Sequence, residues 1–187
     1  MDDPTTQTEP SAKSNPTSAG ENVAKGKAGE EALNAWLKDQ GLSYVAICQS
    51  PETFAPLFST GLKRPDFLIL LESVGLIAVD AKNYKQYDGF YTLKLEEELR
   101  RSMTFERVFR IPIWYAYCSH EPGKIIWHWL SALKAIEVGE VRTNRATGEQ
   151  FLAIQIEHFE RVESNADLGK LYTHRLPGFS KIKTREP

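Results

Sequence analysis

Two apolar runs on either side of a four-residue turn constrain this chain more than any other feature. Asp66 to Leu71 (DFLILL) and Leu76 to Lys82 (LIAVDAK) flank Glu72 to Gly75. A strand with one wet face alternates apolar and polar residues, whereas a near-continuous apolar strand needs cover on both faces. The pair therefore predicts a hairpin in the centre of a sheet, with helices packed on it. A charge in such a strand is costly without a partner, yet the first strand opens on Asp66 and the second closes on Asp80 and Lys82. Side chains alternate along a strand, so Asp80 and Lys82 share one face with Leu76 and Ala78. A tight antiparallel return sets Asp66 beside Asp80. Two carboxylates that close repel each other or share a proton unless a cation sits between them, and hard oxygen donors favour Mg²⁺ or Mn²⁺.

The rest of the chain supplies the cover. Val23, Gly26, Ala32, Leu33, Ala35, Trp36 and Leu37 form a helical stripe that predicts a first helix from about Val23 to Gln40. Ser43 to Cys48 reads as a strand, and Pro51 to Thr60, with two prolines, as a loop. Leu93 to Phe109 repeats apolar residues at Leu95, Leu99, Met103, Phe105 and Val108 among many charges and predicts one amphipathic helix. Ile111 to Cys118 and Ile125 to Leu130 read as strands. Val138 to Asn144 and Gln150 to Ile156 read as a hairpin around Thr147 and Gly148. The expected fold is α/β: a central mixed sheet of about five strands with helices on both faces and a carboxy-terminal β-hairpin, over residues 23–187. Residues 1–22 lack aromatics and any aliphatic larger than alanine, so they are expected to be disordered. The tail from Glu163 is polar, with Lys181, Lys183 and Arg185.

Composition excludes some functions. With 23 basic and 25 acidic residues, the chain is no globally basic nucleic-acid binder, although a local basic groove is compatible with it. No run approaches the roughly 18 to 20 apolar residues of a bilayer span, and the amino terminus has no secretory pattern. A soluble, cytoplasmic protein without membrane partners is expected. Cys48 and Cys118, each in an apolar segment, are expected to be buried free thiols. The four histidines lack zinc-site spacing. Trp114, Tyr115, Tyr117, Trp127 and Trp129 are expected in the core or on sheet faces.

Pro65-Asp66, thirteen intervening residues, then Asp80-Ala81-Lys82 resembles the signature of the PD-(D/E)XK nuclease superfamily. Gly26-x-x-Gly29-Glu30 is similar to the first-helix glutamate element of its restriction-endonuclease-like and Holliday-junction-resolvase-like branches. The resemblance covers roughly Val23 to Leu130 and implies a restriction-endonuclease-like sheet that hydrolyses phosphodiester bonds in DNA with Mg²⁺ or Mn²⁺. It implies that Asp66, Asp80 and the Ala81 carbonyl bind the metal, with Glu30 contributing directly or through water. Lys82 would then orient or help deprotonate the attacking water. Glu30 is chosen over Glu31 because it lies one turn before Leu33 and Leu37 on the buried side of the helix.

Lys63, Arg64, Tyr84, Lys85, Arg100 and Arg101 are weaker candidates for nucleic-acid contact; for the arginines the competing expectation is a solvated helix face paired with Glu96, Glu97, Glu98 and Glu106. The biology stays open between repair, defence, a mobile element and a toxin delivered into other cells by a non-classical route and restrained by a neutralising protein. A homodimer that cuts both strands is a further expectation. The alternative from another class is a catalytically inert module of the same fold that binds nucleic acid or a protein partner.

Overall fold

The computed structural model describes residues 19–53, 56, 61–72, 75–121 and 124–173. The amino-terminal stretch expected to be disordered falls largely outside them, as do the histidine at 174 and the basic tail residues. The first helix begins earlier than the apolar stripe suggested. It spans Ala19–Asp39 (α1).

Leu33, Trp36 and Leu37 form the buried stripe of α1. The helix stops in a Schellman arrangement. Gly41 takes a left-handed φ of 66°, its N–H donates to the Lys38 carbonyl at 3.0 Å, and the Leu42 N–H donates to the Leu37 carbonyl at 3.1 Å. Leu42 then packs against the core that α1 covers. The turn sends the chain into β1 (Ser43–Ala46), which pairs antiparallel with β2 (Phe67–Leu71).

The expected hairpin forms between β2 and β3 (Gly75–Lys82), in a register that pairs Phe67 with Val79 and Leu71 with Gly75. β3 also runs parallel to β5 (Ile113–Glu121), β5 pairs with β6 (Lys124–Ser131), and β6 with β9 (Glu160–Val162). The result is a six-stranded mixed sheet in the order β1-β2-β3-β5-β6-β9. Residues on alternate positions feed two separate cores, as the near-continuous apolar strands require. On one face, Ile77, Val79, Trp114, Ala116, Trp127 and Trp129 pack under α1 and a short helix α4 (Gly169–Thr173). The opposite face carries Ala78, Ile113, Tyr115, Tyr117 and Leu130. It is covered by α2 (Arg101–Phe109), α3 (Ala132–Val138) and a second sheet. Trp114, Tyr115, Tyr117, Trp127 and Trp129 are all buried, as expected.

The second sheet corrects one expectation. Leu93 and Lys94 do not start the helix expected over Leu93 to Phe109 but close a strand, β4 (Phe90–Lys94). Tyr91 and Leu93 point inward from it while Thr92 is exposed. β4 pairs with β8 (Gln150–Gln155), which pairs with β7 (Glu140–Thr143). The expected carboxy-terminal hairpin is thus two thirds of a three-stranded sheet. After β4 the chain winds as a π-helical segment, Leu95–Arg100, before α2. The cysteine expectation also needs correction: Cys118 is buried in β5, but Cys48 lies beyond the end of β1 and is exposed. No helix among the described residues is long and apolar enough to cross a membrane.

Candidate active site

The site forms where β2 has ended and β3 continues. Phe67 opposite Val79 is the last β2–β3 pair, so Asp80, Ala81 and Lys82 have β5 on one side and, among the described residues, no strand on the other. Asp66 sits at that open edge. Its N–H donates to the Val79 carbonyl at 2.9 Å, and its Oδ2 accepts the Ala81 N–H at 2.7 Å. A strand residue's N–H and C=O point to the same edge, so the Ala81 carbonyl faces the same open side as Asp66.

Asp80 and Lys82 project from the face of β3 that looks toward Tyr115, Tyr117 and the π-helical segment, and both are nearly inaccessible. Lys82 Nζ lies 2.6 Å from Asp80 Oδ2 and also pairs with Glu98 Oε1. The Lys82 ammonium further sits 5.8 Å from the centre of the Tyr115 ring, a cation–π distance. Glu98 is itself buried, and its second oxygen accepts the Lys94 N–H at 3.1 Å. That bond fixes the carboxylate at the start of the π-helical segment, a rare element often found at functional sites. Lys63 enters from the loop before Asp66, with Nζ 3.2 Å from Asp80 Oδ1.

α1 approaches the end of β3 through Gly29. A Cβ at this position would lie 2.9 Å from the Cβ of Asn83, closer than real Cβ contacts come. Asn83 ties the two elements together by donating from Nδ2 to the Lys25 carbonyl at 3.0 Å. One residue on, Glu30 is half-buried and lines the cleft, while Glu31 faces outward near Lys27. Glu30, Asp66, Asp80 and Lys82 thus border one cleft of about 590 Å³, together with Lys63 and Glu98. Lys25, Tyr84 and Lys85 line the same cleft from exposed positions.

Electrostatics follow from this crowding. Burial, then the neighbouring Asp80 and Glu30, push the Asp66 carboxyl up to about 8. Burial and Asp80 likewise raise Glu30. Burial would raise Asp80 too, but Lys63 and Lys82 outweigh it and hold this carboxyl below the ordinary range. Burial would lower Lys82, but Asp80 and Glu98 prevail and hold its ammonium charged far above the usual lysine range. At the floor, four carboxylates therefore face two ammonium groups, and Asp66 and Glu30 are the acids left short of positive charge.

This donor set fits a hard divalent cation of the Mg²⁺ kind. Among the described residues no three His, Cys, Asp or Glu side chains form a ready-made metal cage. Mg²⁺, however, is usually held by one or two carboxylates and several waters. Asp66, Asp80 and the Ala81 carbonyl provide such a partial sphere at an open edge, and among the described residues Asp66 Oδ1 meets only Gln49 Nε2, at 3.4 Å.

The weaker candidates separate. Arg64 is buried in the loop it belongs to, donating to Gln49 Oε1 at 3.2 Å, Thr53 Oγ1 at 2.8 Å and the Ser50 carbonyl at 3.3 Å. Those bonds brace the approach to Asp66 and turn the guanidinium away from solvent. Arg100 is exposed and pairs with Glu96 at 3.2 Å. Arg101 is exposed and does not line the cleft, although its carbonyl accepts the Lys63 N–H at 3.2 Å. Glu98, read from sequence only as an arginine partner, belongs to the site. Comparison with protein families, curated proteins and solved structures finds no match for this chain.

Proposed function

We propose that this chain is a divalent-metal-dependent nuclease of the PD-(D/E)XK superfamily, with a restriction-endonuclease-like sheet, hydrolysing phosphodiester bonds in DNA. One observation carries the reading: Asp66, Asp80 and Lys82 meet at the unpaired end of a buried strand, in a cleft whose carboxylates outnumber its ammonium groups at the floor. Buried charges of this cost persist where they serve chemistry.

Asp66, Asp80 and the Ala81 carbonyl would hold Mg²⁺ or Mn²⁺, with Glu30 contributing through water. The bound ion would polarise a phosphoryl oxygen and lower the pKa of a coordinated water. Lys82, kept charged between Asp80 and Glu98, serves as a donor that orients the nucleophile and stabilises charge on the phosphate, and not as a base. Glu30, with its raised carboxyl, is placed to accept the proton. Lys25 and Lys85 at the rim suit the flanking phosphates, and Tyr84 offers a ring beside them.

The test is incubation of the protein with supercoiled plasmid, linear duplex and single-stranded DNA in Mg²⁺, Mn²⁺ or chelator, beside Asp80→Ala and Lys82→Ala. Metal-dependent cleavage lost in both variants supports the reading. A folded protein that binds DNA without metal and cleaves none of these substrates would instead be the inert module of the same fold.

A further inference from the structure

The two lysines at the floor of the cleft are held in different ways. Lys82 stands on a central strand, 5 % exposed, between Asp80 and Glu98. Its two carboxylates and the surrounding rings leave it nowhere to go. Lys63 comes from a loop, and a quarter of its side chain is exposed. Among the described residues its one ion-pair partner is Asp80. Its charge nevertheless reaches every carboxylate of the metal reading, since it also draws down the carboxyls of Glu30 and Asp66.

A monovalent ammonium in contact with Asp80 and within electrostatic reach of Asp66 and Glu30 does part of the work of a divalent ion. We propose that Lys63 is a tethered stand-in for the metal, so that loading the site is an exchange in which Lys63 leaves Asp80. This rests on the metal-dependent reading above. Lys63 Nζ, 3.2 Å from Asp80 Oδ1, covers the carboxylate oxygen that Lys82, held on Oδ2, leaves free. The same contact weakens apparent metal affinity, because a divalent ion must first break it. The partly exposed, loop-borne position of Lys63 permits the exchange, and the caged position of Lys82 does not.

The test measures metal affinity of the full chain, without DNA, by Mn²⁺ titration calorimetry and by the electron paramagnetic resonance signal of unbound Mn²⁺. A charge-assisted contact of this kind corresponds to a change of roughly ten- to a hundredfold. Lys63→Met is therefore expected to bind Mn²⁺ at least tenfold more tightly than wild type. Lys63→Arg, which keeps the competing cation, stays within about threefold. Lys85→Met removes a rim charge with no ion pair to Asp80, and is expected to tighten binding less than about threefold. Thermal melting of each variant in chelator identifies any that fails to fold, and Lys63→Gln then replaces Lys63→Met. If Lys63→Met matches wild type, or gains no more than Lys85→Met, the exchange is refuted while the metal centre stands. If neither wild type nor Lys63→Met binds Mn²⁺, the metal centre falls and the exchange with it.

Discussion

Substituting Asp66 by Asn should make the metal-free protein more stable, and increasingly so as the pH rises. Asn keeps the shape of the side chain and an oxygen that can accept the Ala81 N–H, but it cannot take a charge. The Asp66 carboxyl is raised from 3.8 to about 8 in the fold. A raised acid binds more protons folded than unfolded between those two values, so its contribution is fully favourable below about 4 and is lost as the pH rises toward 8. At about 1.4 kcal/mol per unit, the wild type carries a cost of about 1 to 2 kcal/mol at pH 5 and about 5 kcal/mol at pH 8, relative to Asn. Asp80 has the opposite sign, since its carboxyl is lowered. Its window lies at or below the ordinary aspartate range, outside this comparison.

For a chain of this size each kcal/mol moves Tm by about 2 to 4 °C. The gap between Asp66→Asn and wild type should therefore widen by roughly 10 °C between pH 5 and pH 8, read by circular-dichroism melts in chelator. Mg²⁺ should close the gap at pH 8 by stabilising wild type alone, since a ligand that binds only the native state adds stability by mass action. Parallel Tm profiles across this pH range would refute the account of Asp66 as an acid short of positive charge.

Three further outcomes follow from the geometry. Glu98→Ala leaves Lys82 with Asp80 alone; turnover on DNA should fall about 10- to 100-fold, with metal affinity and KM within about twofold and partial recovery in Glu98→Gln, measured by steady-state kinetics. Gly29→Ala forces a Cβ to 2.9 Å from Asn83 Cβ; it should cost about 1 to 3 kcal/mol in urea unfolding and displace Glu30, lowering cleavage as well. Arg64→Met removes the hydrogen bonds to Gln49, Thr53 and Ser50 but no exposed charge, so the salt dependence of DNA binding should keep its slope, whereas Lys85→Met should flatten it by about one phosphate contact in fluorescence-anisotropy titrations.

How much of this was legible in the sequence depended on how far apart the partners lie. The β2–β3 hairpin joins Asp66 and Asp80 through a local turn, so strand alternation and one antiparallel return were enough to pair them. The α1 stripe placed Glu30 on the buried side for the same reason: a helix face is a local property. β4 is hidden because its partner β8 is some sixty residues away. A signal was there: Phe90 to Lys94 alternates, with Tyr91 and Leu93 inward. β9, α3 and α4 are short elements whose burial is set by tertiary neighbours, and no periodicity announces them.

Glu98 shows why a site is harder to read than a fold. It stands in a run of three glutamates, and only its position separates it from Glu96 and Glu97, which are exposed. Glu98, Ser102 and Phe105, spaced four and three apart, are all buried, so the inward face of this segment passes through a carboxylate. An acid on an apolar stripe either takes up a proton, as Asp66 does, or meets a cation. The buried cation it meets is Lys82, itself forced inward by strand alternation. Strand alternation brings Lys82 inward beside Asp80, the helical stripe brings Glu98 inward, and the two local patterns together imply the Lys82–Glu98 ion pair that neither implies separately.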